Sequence, residues 1–199
     1  MFRDYNGSSE LQELQKQYPA KYLTVSAGRL VWEKNLDRLF DATELIKDRL
    51  GDYYHIHIGD FGELKKDLEI HAATFPHITM LPNLPQKDLA LFFSLANAFL
   101  MASLSEGFGL VYVEALSCNT PVITSNISPM TDYVTDRHNG LLVDPDSSRD
   151  IGEKTIELLR NEQLYNHIRK NTRPSIMRFD SRTLQEQELE IYFDLLREF

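Results

Sequence analysis

The sequence predicts an α/β domain in which a doubly wound parallel sheet carries helices on both faces. Hydrophobic patterns of the strand type and the helix type alternate along the chain and are joined by short connections. The run at 98–102 (AFLMA) is apolar throughout, which is typical of a strand covered on both sides of its sheet. The 199 residues contain no repeat or low-complexity stretch and suffice for one hydrophobic core.

The individual elements follow from the hydrophobic spacing. Strands are predicted at 22–27, 55–58, 78–81, 98–102, 121–124 and 140–143. Helices are predicted at 8–17, 35–50, 63–75, 86–96, 110–117 and 129–134. From residue 147 onward the chain is predicted to be helical, with a break at Arg173-Pro174 and a last helix over 183–196. We therefore expect a helical lead-in over residues 1–21 and a sheet domain over 22–199.

Composition and charge argue against several classes of function. The formal net charge is -9, from 30 acidic and 21 basic residues, and no basic stripe is present, so nucleic-acid binding is not expected. No apolar run approaches the ~20 residues that span a bilayer, and the N-terminus has no apolar signal core. The single cysteine, Cys118, is predicted to be a small buried side chain and favours a cytoplasmic location. A small anionic ligand would depend on a few placed cations and backbone N–H groups.

Two cations follow the first predicted strand, in the loop that leads to a helix. Arg29 and Lys34 are five residues apart, directly after Gly28. Because ligands of open α/β sheets bind beyond the carboxyl ends of the strands, this loop can bring both cations to one phosphate group. The alternative is that both are solvated surface charges. The turn at 59–62 lacks the glycine spacing of a dinucleotide fold and is predicted to be a plain tight turn.

The most informative segment follows the continuous apolar strand. In 106–110 (EGFGL), two glycines flank an aromatic residue just ahead of a helix, where backbone N–H groups and the helix dipole favour an anion. Glu114 comes eight positions after Glu106, and a fully helical path would separate the two by about 12 Å. Carboxylates at that separation suit hydroxyls at the two ends of one ligand. The alternatives are a helix-cap role for Glu106 and an ion pair with a neighbouring cation for Glu114.

The segment EGFGLVYVE at 106–114 is similar to the E-x7-E signature of glycosyltransferase family 4. The resemblance covers about 23–161 in the family's order. GRL with KN at 28–35 resembles the loop G-R-L-x-x-x-K-[GN], IGD at 58–60 resembles the turn V-G-D-G, and NGLLV at 139–143 resembles the corresponding strand. The combination of four motifs is far more specific than any one of them.

The sequence departs from the family pattern at three places. Asn119 stands where the family usually has Gly, Phe61 stands where Gly is common, and Thr131-Asp132 falls where Glu is usual. These departures bear on the details of donor recognition more than on the resemblance to the family.

The resemblance implies a fold and an activity. Members have the GT-B fold of two Rossmann-like domains, and the C-terminal one binds a nucleoside diphosphate sugar. They transfer the sugar, here expected to be a hexose, to an acceptor hydroxyl with retention and without a metal ion or other cofactor. By this resemblance Arg29 and Lys34 neutralise the diphosphate, Glu106 holds hydroxyls of the transferred sugar, and Glu114 clasps the ribose. Further donor contacts are implied at Gly28, Asn83, Leu84, Gly107, Phe108, Gly109 and Leu110, and the catalytic groups are expected to be Glu106, Arg29 and Lys34.

The resemblance also implies a partner. In the family an N-terminal domain binds the acceptor, and residues 1–21 are too few to form it, so we expect a missing acceptor-binding domain or subunit. Contact with a membrane is expected only through that missing half. The base, the sugar and the acceptor stay open. The alternatives are a nucleotide-sugar 2-epimerase, a non-catalytic interaction module of the same fold, and a flavodoxin-like receiver or redox domain, whose motifs are absent.

One pattern points to a metal instead. Asp144-Pro145-Asp146 has the D-x-D form that binds Mg²⁺ or Mn²⁺ in glycosyltransferases of another fold. Because it precedes a predicted helix, Asp146 is interpreted as an N-cap, and no metal site is expected. The histidines show no ligand spacing, although His55 and His57 alternate along one strand and therefore share a face.

Overall fold

The computed structural model describes residues 2, 4–179, 185, 189, 192 and 193. The strands are β1 (Tyr22–Ala27), β2 (Tyr53–Ile58), β3 (Ile78–Leu81), β4 (Ala98–Met101), β5 (Val122–Ser125) and β6 (Gly140–Val143). The α-helices of this part are α1 (Ser9–Gln17), α2 (Leu36–Leu50), α3 (Lys65–Ala72), α4 (Gln86–Leu95), α5 (Leu110–Ser117), α6 (Met130–Tyr133), α7 (Ser148–Arg160) and α8 (Glu162–Ile176). No helix within the described residues is long and apolar enough to cross a bilayer.

The six strands form one parallel sheet in the order β3-β2-β1-β4-β5-β6. This confirms the predicted doubly wound sheet. Helix α2 packs against α3 and α7, whereas α4 packs against α1 and α5, and α5 packs against α8, so helices cover both faces. All four residues of β4 are buried, as its continuous apolar sequence predicts. The strand order reverses between β1 and β4, which is where open sheets of this kind hold their ligands.

The N-terminal segment is packed onto the sheet domain. Leu11 of α1 is buried, and α1 packs against α4. The Phe2 ring stacks on the Phe93 ring at 6.1 Å, and the Tyr5 N–H donates to Ser94 Oγ at 3.1 Å. Residues before β1 therefore add apolar cover to the face formed by α4.

The C-terminal helices differ from the prediction. The predicted break at Arg173-Pro174 is wrong, since α8 runs through Pro174 to Ile176. Pro174 lies in the last turn, so its missing N–H removes one of the final hydrogen bonds of α8. The break falls at Asn161, whose side chain accepts from the Leu164 N–H and caps α8. The predicted helix over 183–196 lies outside the described residues, apart from four positions.

Two elements of the first half, β2 and α3, differ from the prediction by two or more residues at an end. Strand β2 begins at Tyr53, two residues before the predicted start, and it pairs with β1 over its whole length. Helix α3 covers Lys65–Ala72 only, because the turn before it is held by backbone bonds between Leu64 and Leu30 and between Leu30 and Phe61.

A series of buried hydrogen bonds joins side chains of β1 and β2. Tyr53 Oη lies 2.6 Å from Thr24 Oγ1, which lies 2.8 Å from His55 Nδ1. Ser26 Oγ lies 3.0 Å from His55 Nε2 and 2.8 Å from His57 Nδ1. His57 Nε2 has no hydrogen-bond partner among the described residues. Both histidines share one face, as strand alternation predicts, and that face is buried.

Burial makes this series sensitive to acid. It lowers the pKa of His55 well below its ordinary range, and the neighbouring His57 and His77 add to the effect. Burial also lowers the pKa of His57, to about 4. As the pH falls below about 6.5, the unfolded chain therefore takes up protons that the folded chain does not. We expect the free energy of unfolding to decrease between about pH 6.5 and pH 4, with His57 alone accounting for about 3 kcal/mol.

Urea denaturation at a series of pH values measures this dependence. His57→Asn removes one titrating group, so the free energy of unfolding should change less steeply with pH, whatever the variant's stability at neutral pH. His138 is exposed, and His138→Asn is the matched control, because it makes the same substitution at the protein surface. A wild-type slope in His57→Asn would contradict the prediction.

Candidate functional site

A cavity of about 450 Å³ opens at the carboxyl edge of the sheet, beside the point where the strand order reverses. It lies between the loops that follow β1 and β4, with the loop after β3 at one side. The residues that line it are Ala27, Gly28, Arg29, Lys34, Ile58, Asn83, Leu84, Leu89, Glu106, Phe108, Gly109, Leu110 and Val111.

The cavity brings together most of the site residues predicted from the sequence. Nine of that set line it, and Gly107 and Glu114 do not. Sequence reasoning missed four apolar lining residues. Two of them, Ala27 and Ile58, are the last residues of their strands, a position that already marks the carboxyl edge of the sheet.

The loop after β1 is held in place by Asn35. This residue has φ 54°, in the left-handed region that Gly and Asn tolerate best, and it follows a 3-10 turn at Trp32–Lys34. Its side-chain Nδ2 donates to the carbonyl of Ala102 at 3.0 Å and to that of Pro145 at 2.7 Å. The loop is thereby fastened to the ends of β4 and β6.

Lys34 and Glu106 form an ion pair at the floor of the cavity. Lys34 Nζ lies 2.5 Å from Glu106 Oε1, and the two side chains are 13% and 8% exposed. Ser103 Oγ donates to the same carboxylate oxygen at 2.9 Å. Lys34, one of the two cations predicted to neutralise a phosphate, thus already has an anionic partner in the cavity. Arg29 is exposed and makes no hydrogen bond or ion pair with another described residue.

Two tyrosines contact the glycine-rich loop at 106–109, called the glycine loop below. Gly109 is the N-cap of α5 with φ 75°, and a Cβ there would lie 2.7 Å from the Tyr112 ring and 2.8 Å from Tyr133 Oη. The Tyr133 hydroxyl donates to the carbonyl of Phe108 at 2.9 Å. Helix α5 thus begins at the cavity. The Tyr112 N–H donates to the Gly109 carbonyl at 3.0 Å, so the N–H groups of Leu110 and Val111 are the ones left without an acceptor inside the helix. Because Gly109 is the cap, the cap role considered for Glu106 is wrong.

Glu114 lies in the second turn of α5 and is half-buried. It has no ion pair or hydrogen bond with another side chain in the described part of the chain, so the paired cation considered for it is not there. Burial raises the pKa of its carboxyl group. The helix begins only at Leu110, so half of the path from Glu106 is not helical and the 12 Å spacing does not apply.

The D-x-D segment is used structurally. The predicted N-cap at Asp146 is wrong, since Ser147 caps α7 by accepting from the Asp150 N–H. Asp146 pairs with Arg38 at 3.1 Å, and its N–H donates to Asp144 Oδ1 at 2.9 Å. Within the described residues, no group of three or more His, Cys, Asp or Glu side chains is arranged to hold a metal ion.

The turn at 59–62 supports the loop after β1. None of its four residues lines the cavity, although the preceding residue, Ile58, does. A Cβ on Gly62 would lie 2.1 Å from the carbonyl oxygen of Leu30, and a Cβ on Gly59 would lie 2.0 Å from that of Gly28. The glycines therefore allow two neighbouring loops to touch, which agrees with the tight turn predicted there.

Comparison with known proteins assigns the family. The family model described as glycosyl transferases group 1 matches residues 9–174. The chain belongs to that family. An uncharacterized glycosyltransferase of Methanocaldococcus jannaschii is 35% identical over 146 residues, which make up 72% of this chain and 40% of the relative. A capsular polysaccharide biosynthesis glycosyltransferase of Staphylococcus aureus is 27% identical over 86% of this chain and 46% of its own length. The chain thus spans less than half the length of these two relatives.

Solved structures show the same fold. The C-terminal domain of a group 1 glycosyl transferase, LpcC of Francisella tularensis, superposes with a TM-score of 0.77 at 23% identity, over 88% of this chain and 93% of that one. Anabaena HepE, solved in complex with UDP-glucose, superposes with a TM-score of 0.85 at 22% identity, over 95% of this chain and 54% of HepE. The sheet is therefore the Rossmann-like C-terminal domain of a GT-B fold.

The shape of the glycine loop gives a prediction about stability. Gly109→Ala should lower the free energy of unfolding by at least about 1–2 kcal/mol, because the methyl group meets Tyr112 and Tyr133 in a left-handed backbone. Gly107 has open space at its Cβ position, so Gly107→Ala is the matched control and should stay within about 0.5 kcal/mol of the wild type. Urea denaturation of both variants tests the difference, and equal losses would show that the loop is free to adjust.

Proposed function

We propose that this chain is the donor-binding domain of a retaining, metal-independent hexosyltransferase that uses a nucleoside diphosphate sugar. The observation that carries the proposal is one cavity at the strand reversal, with an exposed Arg29, the Lys34–Glu106 pair and the start of α5 on its walls. Two solved relatives of the same fold support it, since HepE was crystallised with UDP-glucose and the pneumococcal transferase GtfA with UDP and GlcNAc.

The diphosphate is assigned to the side of the cavity formed by Arg29 and the first turn of α5. Arg29 offers a fork of N–H donors that matches two phosphate oxygens. The N–H groups at Leu110 and Val111 and the positive end of the helix dipole add to this attraction. Lys34 keeps one N–H on Glu106 and has two further donors for a phosphate oxygen.

The transferred sugar is assigned to Glu106, whose carboxylate accepts hydrogen bonds from sugar hydroxyls. In the reaction the acceptor oxygen forms a bond to the anomeric carbon, and the bond from that carbon to the phosphate oxygen breaks. The acceptor proton passes to the departing phosphate on the same face, which retains the configuration. Arg29, Lys34 and the start of α5 stabilise the charge that develops on the leaving diphosphate.

The ribose is assigned to Glu114. This carboxylate is half-buried without a described partner, and its pKa is raised for that reason. Two ribose hydroxyls would supply the missing donors and stabilise the charged form. The base is assigned to the side formed by Asn83 and Leu84, where Asn83 Nδ2 is held by Asp60 Oδ1 at 2.8 Å.

The acceptor is assigned to a second domain or subunit. The relatives are more than twice as long as the matched part of this chain, and transfer requires the acceptor hydroxyl to be oriented and water excluded, an effect worth up to about 7–11 kcal/mol. No lining residue of the cavity in this chain is assigned to that task. We place the enzyme in the cytoplasm, in keeping with its one buried cysteine.

Titration calorimetry with UDP, GDP and ADP and with UDP-glucose, GDP-mannose and ADP-glucose, all in EDTA, tests the proposal. We expect one nucleotide series to bind without a divalent metal. In that series Arg29→Ala and Lys34→Ala should each weaken the diphosphate about ten- to a hundredfold and leave the nucleoside nearly unchanged. Lys66→Ala removes an exposed cation from α3 and is the control for net charge. Absence of binding in every series would refute donor binding, and binding that appears only when a divalent metal replaces the EDTA would refute metal independence.

Substitution of the two glutamates should weaken the binding of different ligands. Glu106→Gln should weaken the sugar-bearing donor but spare the nucleoside diphosphate, because it removes the sugar contact and releases Lys34 from its anionic partner. Glu114→Gln should weaken every ligand that carries the ribose. Calorimetry of both variants with the diphosphate and the diphosphate sugar distinguishes them, and the opposite pattern would reverse the orientation of the donor.

A further inference from the structure

Three polar side chains lie within 3.5 Å of one oxygen of Glu106. Lys34 Nζ lies 2.5 Å, Ser103 Oγ 2.9 Å and Tyr112 Oη 3.5 Å from Oε1. Within the described residues, the other oxygen of this carboxylate, Oε2, accepts no hydrogen bond from a side chain or from the backbone. The carboxylate is thus fastened through one oxygen, while the other remains for a ligand in the cavity that Glu106 lines.

The number of hydroxyl protons determines which group donates and which accepts in these hydrogen bonds. Ser103 has one hydroxyl proton and donates it to Glu106, so its oxygen is left to accept from Tyr112 Oη, 3.0 Å away. The Met101 carbonyl at 3.4 Å and Glu106 Oε1 at 3.5 Å are farther from Tyr112 Oη than Ser103 Oγ is, and Thr124 is a further neighbour of this hydroxyl. Tyr112 therefore donates to Ser103, and Ser103 donates to Glu106.

Both hydroxyl side chains are rigidly held. Tyr112 and Ser103 are fully buried, and the Tyr112 ring packs edge-on against Phe99 at 5.4 Å. Ser125 Oγ donates to the carbonyl of Ser103 at 2.6 Å. Burial, and secondly the charge of Glu106, raise the pKa of Tyr112. Its hydroxyl consequently stays protonated at neutral pH.

We propose that Ser103 and Tyr112 are positioning residues that orient the Glu106 carboxylate toward the sugar of the donor. Lys34 alone gives a single charged contact and leaves the carboxylate plane free to turn. Ser103 approaches the same oxygen from the end of β4, and the two donors together fix the plane, with Oε2 presented to a sugar hydroxyl. This inference rests on the proposed function, because it assumes that a sugar lies at Glu106.

The test measures the preference of the chain for UDP-glucose over UDP by calorimetry, or for GDP-mannose over GDP or ADP-glucose over ADP if that series binds. Tyr112→Phe removes only the hydroxyl and keeps the ring contact with Phe99, and Ser103→Ala removes the direct donor. We expect each variant to reduce the preference for the sugar-bearing donor about two- to tenfold and to leave the affinity for the diphosphate within about twofold. In a Glu106→Gln background neither change should reduce the preference further.

Tyr53→Phe is the matched control, because Tyr53 is equally buried and its hydroxyl is bonded to Thr24, at the start of β2. It should leave the preference unchanged even where it lowers thermal stability. If the wild type binds none of the nucleotides or their sugars, the proposed function itself fails. If the wild type prefers the sugar-bearing donor and both variants keep the full preference, the function stands and the positioning role is wrong. Equal weakening of diphosphate and sugar donor, or no preference in the wild type, would also overturn the positioning role.

Discussion

The ion pair between Lys34 and Glu106 is the interaction on which the site depends. It joins the loop after β1 to the loop after β4, two segments that are 72 residues apart in the chain and adjacent at the strand reversal. An ion pair this little exposed is stable only when further hydrogen bonds offset the loss of water. Ser103 provides one of these bonds, and Asn35 fixes the loop that carries Lys34. The position of each loop is therefore set by the other.

The pair also determines how the chain can attract an anion. With Lys34 neutralised by Glu106, Arg29 is the one lining side chain whose charge is not balanced by a described partner. The chain as a whole carries a formal net charge of -9, which repels an anion at long range and is screened by salt. In the proposed function the attraction must then be local, and the start of α5 would supply it through its backbone N–H groups.

The sequence predicted the sheet and most of the lining residues because strand ends and glycine-rich turns are local signals. The sequence did not predict the ion pair between Lys34 and Glu106. The spacing of motifs along the chain does not show which side chains of the site contact one another. Tyr112 was missed for a related reason, because an aromatic residue within an apolar helix has the pattern of a core side chain. The errors at Asp146 and Pro174 concern helix ends, since the next residue, Ser147, is the cap of α7 and Pro174 lies in the last turn of α8.

Two series of buried hydrogen bonds end near the loops of the site. One joins β1 to β2, and the other joins α5 to the loop after β4. If His57 carries its proton on Nε2, the hydrogen bonds from Tyr53 through Thr24, His55 and Ser26 all point toward His57, and each intermediate group both donates and accepts. A Cβ on Gly59 would lie 3.1 Å from His57 Nε2 and 2.0 Å from the Gly28 carbonyl oxygen, so this series ends beneath the first site loop. The other series runs from Tyr112 to Glu106. Because a hydroxyl donates only one proton, a series of this kind has a direction that an apolar core cannot impose.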